Sequence, residues 1–103
     1  MKLRCRGGRW FLGDVRLSKR QVTLLLAVMA RPRVPTSEII EMIWPDPDDE
    51  PDSANGIVKT IAYYLRAKLH GSGWMVYAIP GERGRHCGYR LEPEAVYLER
   101  LAA

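Results

Sequence analysis

Nowhere does the sequence hold an apolar run near the roughly 18 residues that a membrane-spanning helix requires, so no such helix is expected in these residues. The opening MKLRCRGGRW has no apolar centre, and a secretory signal peptide is not expected. Cysteine occurs twice, at Cys5 and Cys87, too few for a disulfide scaffold. In a reducing cytoplasm both read as small, half-buried apolar residues. Histidine is equally scarce, at His70 and His86, and no C-x-x-C or H-x-x-x-H spacing joins the two residue types, so no metal is expected. Also missing are a paired acid and base, an activated nucleophile and a phosphate cradle. The stretch Gly81-Glu82-Arg83-Gly84 is neither a Walker loop nor a dinucleotide fingerprint. The reading is a chain that is not an enzyme and takes no cofactor.

What the sequence does have is charge, unevenly placed. The net charge is +4, yet seven of the twelve acids fall between residues 38 and 52, a window with no Lys or Arg. The rest carries sixteen basic residues against five acidic ones, a formal +11. Such a field attracts a polyanion, and nucleic acid is the commonest. At 103 residues the chain suits one domain.

Short apolar–polar alternations between Lys2 and Leu17, broken at Gly7-Gly8 and Gly13-Asp14, predict two or three short strands in residues 1–17. Ser18 and Gln21 form a capping-box pattern, and Val22, Leu25, Leu26 and Met29 then recur at helical spacing, predicting a helix over Lys19 to Ala30. Pro32 and Pro35 end it. Thr36 or Ser37 is expected to cap a second helix carrying Ile39, Ile40, Met42, Ile43 and Trp44, which Pro45 stops. Three prolines and four acids in Pro45 to Pro51 require an exposed loop. A third helix, capped by Asp52 or Ser53 and ended by Gly71, buries Val58, Ile61, Leu65 and Leu69. At about 100° per residue its opposite face is Gly56, Lys59, Thr60, Tyr63 and Ala67, with Arg66 on the flank and Tyr64 partly covered. The three-helix core thus spans residues 18–71. Trp74 to Ile79 and Cys87 to Leu91 predict a hairpin over 74–91 with a basic tip. A short helix in 93–103 has Val96, Leu98 and Leu101 available for packing. Trp10, Trp44 and Trp74 read as packing residues, each in an element expected to face the core.

Four segments resemble the DNA-binding domain of OmpR/PhoB-type response regulators. They are Leu17 to Leu25, with Gln21 where the family has an acid, Val34 to Trp44, Tyr64 to Leu69, and Gly88-Tyr89-Arg90-Leu91. The resemblance implies an α+β winged helix-turn-helix: short N-terminal strands, the three-helix core and a C-terminal hairpin wing. It implies a sequence-specific transcription regulator that binds double-stranded DNA in tandem or in pairs. The recognition helix would offer Asn55, Lys59, Thr60, Tyr63 and Arg66 to the duplex, with Arg66 on a phosphate in preference to its alternative role of bracing the fold, and the wing would add Arg83, Arg85 and His86. The loop carrying Asp46, Asp48, Asp49 and Glu50 would touch RNA polymerase.

The chain departs from the family in four places. It has no room for a receiver domain, its N-terminal sheet is shortened, its wing is longer, and a C-terminal helix follows. The expectation is a stand-alone cytoplasmic regulator of bacterial or phage type, associated with the nucleoid. The alternative is a winged-helix adaptor that binds RNA polymerase or another protein without reading DNA. RNA is disfavoured, since the narrow major groove of its duplex does not admit a helix.

Overall fold

Two glycines in left-handed backbone, Gly7 and Gly8 at φ +57° and +77°, turn the chain tightly enough to pair its first two strands. In the computed structural model, which describes residues 2–81 and 86–102 (the His86 side chain excepted), β1 (Leu3–Arg6), β2 (Arg9–Leu12) and β3 (Val15–Leu17) form an antiparallel meander. Its register sets Cys5 opposite Trp10 and Trp10 opposite Leu17, and sets Arg4 opposite Phe11 and Phe11 opposite Arg16. Leu12 and Leu17 are buried on the inner face.

Helix α1 (Lys19–Ala30) begins with the expected reciprocal cap. The Gln21 amide donates to Ser18 Oγ at 3.2 Å, and the Ser18 amide donates to Gln21 Oε1 at 2.9 Å. Gln21 Oε1 also accepts from Lys68 Nζ at 2.7 Å, which ties the start of α1 to the end of the third helix. Arg31 leaves the helix in extended geometry, as a residue before proline must.

A two-residue strand, β4 (Val34–Pro35), was not legible in the sequence. It pairs with the last strand, Val34 against Tyr89 and Pro35 against Gly88. Helix α2 (Thr36–Ile43) therefore starts without the side-chain cap expected from Thr36 or Ser37. Extended Pro35 is its N-cap, because pairing of β4 already sets the entry of the chain, and Thr36 is buried. The loop after α2 is exposed, with one 3-10 turn at Pro47–Asp49 held by the Asp48 amide donating to Asp46 Oδ1 at 3.0 Å. Helix α3 (Ala54–Leu69) follows, with Ser53 as an N-cap that makes no side-chain bond.

Strands β5 (Trp74–Pro80) and β6 (His86–Pro93) join β4 in a second antiparallel sheet of order β4-β6-β5, and α4 (Glu94–Ala102) closes the chain. The result is a compact α+β fold whose described residues form four helices and two small antiparallel sheets. Leu24, Leu25, Val34, Ile39, Val58, Leu65, Leu69, Val76 and Tyr89 are fully buried between the helices and the second sheet. Among the described residues no helix is long and apolar enough to cross a membrane.

Gly88 is required by the approach of β4. A Cβ there would lie 2.7 Å from the Val34 carbonyl oxygen, a backbone atom that cannot rotate away. Gly88→Ala is expected to cost about 1–3 kcal/mol, as overpacking does. A lower urea midpoint at unchanged m-value checks it.

Several packing expectations fail at the C-terminal end. Trp74 is exposed, because it sits at the end of β5 opposite Pro93 while its neighbours Met75 and Val76 take the buried positions. Trp10 and Trp44 do pack against the core. Val96, Leu98 and Leu101 are all exposed, and Tyr97 is the residue of α4 that packs inward. The helix is held mainly by polar groups. Buried Glu92 accepts from both terminal nitrogens of Arg100 and from Arg90, and both guanidinium groups lie over the Tyr77 ring, at 4.8 Å for Arg90 and 3.8 Å for Arg100.

At the other end of α4, Glu94 accepts from the Gly71 and Gly73 amides at 3.0–3.1 Å, and these bonds hold its carboxyl below the ordinary value. A carboxyl depressed in the folded state stabilises the fold above its unfolded pKa. That contribution is lost as pH falls through the folded value. Melting temperatures of wild type and Glu94→Gln should differ most near neutral pH and converge in acid.

Candidate functional site

The outward face of α3 is set by its inward one. Burial of Ala54, Val58, Ile61, Ala62, Leu65 and Leu69 leaves Gly56, Lys59, Thr60, Tyr63 and Ala67 exposed, as the helical period requires. No residue between Ala54 and Leu69 is acidic. Asn55, another expected site residue, is half-buried.

Tyr63 is 66% exposed and Tyr64 57%, their rings edge to face at 5.3 Å. Tyr64, expected to be partly covered, is more open than that expectation suggests and borders a groove between α1 and α3. That groove, of about 390 Å³, is lined by Ser18, Arg20, Ser53, Gly56, Thr60 and Tyr64 among others. On the other flank a cleft of about 420 Å³ is lined by Lys59, Thr60, Tyr63, Tyr64, Arg66 and Tyr89. The α3 face is therefore a ridge with open space on both sides.

Two side chains on this ridge are already engaged. The Thr60 hydroxyl donates to the Gly56 carbonyl at 3.1 Å, so it offers a partner its methyl group and oxygen lone pairs rather than a proton. Arg66 Nε donates to the Val76 carbonyl of β5 at 2.8 Å, and the side chain is half-buried. Arg66, expected on a phosphate, is thus also a brace between α3 and the second sheet, and its side chain lines the cleft. Tyr89 forms part of the same wall. Burial pushes its phenol above the ordinary value, and the nearby Arg66 charge opposes that rise.

The carboxylates of Asp46, Asp48, Asp49 and Glu50 are exposed on the loop before α3 and form no ion pair among the described residues. Arg83, Arg85 and the His86 side chain lie outside the described residues; the His86 backbone pairs with Pro80, next to a register shift in β5. Both cysteines are exposed, which corrects the half-buried reading: Cys5 lies on the edge strand β1, opposite Trp10, and Cys87 lies beside the register shift at the loop end of β6. Among the described residues no three His, Cys, Asp or Glu residues group as metal ligands.

Two features escaped the sequence reading. Arg33, just before β4, donates to Cys87 Sγ at 3.3 Å near the loop end of β6, an interaction between residues 54 positions apart that no local pattern announces. The second is the outer face of the first sheet, whose arginines alternate with apolar residues in plain view in the sequence. No family model matches the chain, and no curated protein or solved structure matches it.

Proposed function

We propose that this chain is a winged helix-turn-helix regulator of the OmpR/PhoB type, which binds duplex DNA with α3 as its recognition helix and the β5–β6 hairpin as its wing. The observation that carries this reading is the acid-free ridge of Lys59, Thr60 and Tyr63 along the exposed side of a sixteen-residue helix. Such a helix is about 24 Å long and about 10–12 Å across with its side chains. The major groove of B-DNA, about 12 Å wide, accepts it, and the open space on both flanks leaves room for the groove walls. Lys59 then donates to a guanine edge or a phosphate, Tyr63 to a phosphate or a base edge, and the Thr60 methyl meets a thymine methyl. The order α1, α2, α3, hairpin fits the same docking, as does the pairing of β4 with β6, which props the hairpin against the helices.

Selection of bound fragments from random duplex DNA, over a salt series, tests this reading. A defined motif, with affinity falling steeply as salt rises, is the expected result, and spacing between repeats of the motif reports tandem or paired binding. Absence of binding at low salt overturns it. A second reading, an adaptor for RNA polymerase, is favoured by the exposed carboxylates of Asp46, Asp48, Asp49 and Glu50. Replacing those four with Asn or Gln should leave duplex binding intact while removing any attachment to polymerase.

Gly56 gives a further check. It sits inside α3 with nothing within 4 Å of where a Cβ would stand, so the fold has no need of a glycine there. Gly56→Ala is expected to stabilise the protein by about 0.4–1 kcal/mol. Duplex affinity should fall, since the added methyl occupies space where bare helix backbone meets the groove. Paired thermal melts and binding curves read both signs.

A further inference from the structure

The alternation of β1–β3 sends Leu3, Trp10, Leu12 and Leu17 toward the core and leaves Arg4, Arg6, Arg9, Phe11 and Arg16 on the opposite face. Register gathers them into two rows. Arg4 and Arg16 flank Phe11 across the three strands, and Arg6 stands directly opposite Arg9. All four arginines are exposed, and among the described residues none forms an ion pair. Arg4 donates to the Gly13 carbonyl at 3.3 Å, and Asp14, at the turn beside the patch, is the acid nearest in sequence. Like charges set directly opposite on a sheet are destabilising. Against four arginines the fold sets the single carboxylate of Asp14 beside the patch, and it forms no ion pair with them.

We infer that this outer face is a second DNA-binding surface, separate from α3, which holds the phosphates of a duplex without reading its sequence. The partner's class rests on the reading of the chain as a DNA-binding protein, and the charge geometry supports it independently. Neighbouring strands lie about 4.8 Å apart and alternate residues about 6.8 Å, so four guanidinium groups crowd a patch about 10 Å wide. A duplex presents one negative charge per about 1.7 Å of axis, enough to face every one of them over that distance. The planar guanidinium fork suits phosphate oxygens, and the rigid sheet holds the forks in place.

The test compares wild type with the fourfold variant Arg4→Gln, Arg6→Gln, Arg9→Gln, Arg16→Gln on a short duplex of arbitrary sequence. The slope of log K against log salt should fall by about 0.9 for every phosphate no longer neutralised, so by about 3–4 for the whole patch. The fourfold Arg→Lys variant should keep the slope. The Gln variant should melt no lower than wild type, since repulsion is relieved. A variant with Lys59 and Tyr63 replaced by alanine should lose motif preference and keep this salt-dependent binding. If the Gln variant binds with unchanged affinity and slope, the inference is overturned and an acidic protein becomes the better partner for the face. A lower melting temperature in the Gln variant would also overturn it, by assigning the arginines to the fold. If wild type shows no motif preference yet its duplex binding disappears with the arginines, only the α3 reading fails.

Discussion

Replacing Lys59 and Tyr63 together with alanine should weaken binding to the selected duplex by about 2–6 kcal/mol, or roughly 30-fold to 10⁴-fold, if each side chain makes one good bond to a base or phosphate. The physical ground is that neither residue serves the fold. Tyr63 is 66% exposed and Lys59 is fully on the outward side of α3, so truncation opens no cavity. Stability should stay within about 0.5 kcal/mol of wild type, as for other surface substitutions. Loss of Lys59 should also lower the salt slope by about one charge. Fluorescence anisotropy on the selected site, run beside a thermal melt, separates the two effects. Unchanged affinity would remove α3 from the interface.

The largest structural effect belongs to another tyrosine. Tyr89 is fully buried, paired with Ala78 on one side and Val34 on the other, where β4, β5 and β6 meet the helices. Tyr89→Ala should cost about 3–5 kcal/mol, the range for removing a large aromatic ring from a core. That is a large share of the about 5–15 kcal/mol by which a domain is stable at all. The urea midpoint should drop accordingly, and duplex binding should vanish because α3 no longer has a sheet to brace it. A midpoint near that of wild type would show that the sheet does not depend on the Tyr89 ring. The contrast between Tyr63 and Tyr89 is one of position, since the residue type is the same.

How the candidate site follows from the sequence depends on the reach of each interaction. The outward face of α3 was legible because a helix repeats every 3.6 residues, and Val58, Ile61, Leu65 and Leu69 determine which side is left over. The start of α1 was legible because both bonds of its cap span three residues. The bracing bond of Arg66 was hidden for the opposite reason. Its acceptor is a carbonyl on β5, and helical spacing places Arg66 on a flank without saying which element comes near. The groove beside Tyr64 was hidden for the same cause, as it is lined from both α1 and α3 and depends on how those helices pack.

By itself the sequence determined most of the elements and the faces of several: strand alternation from Leu3 to Leu17, a capped α1, the prolines that end α1 and α2, the stripe of α3 and the C-terminal hairpin. These depend on neighbours a few residues away, so a local pattern is enough to specify them. Tertiary structure alone decided what joins those elements. Lys68 reaches Gln21 across 47 positions, β4 finds β6 and thereby makes a glycine necessary at residue 88, and Glu92 gathers two arginines to hold α4. Each of these interactions depends on chain closure over long loops, where many partners are chemically acceptable and packing selects one.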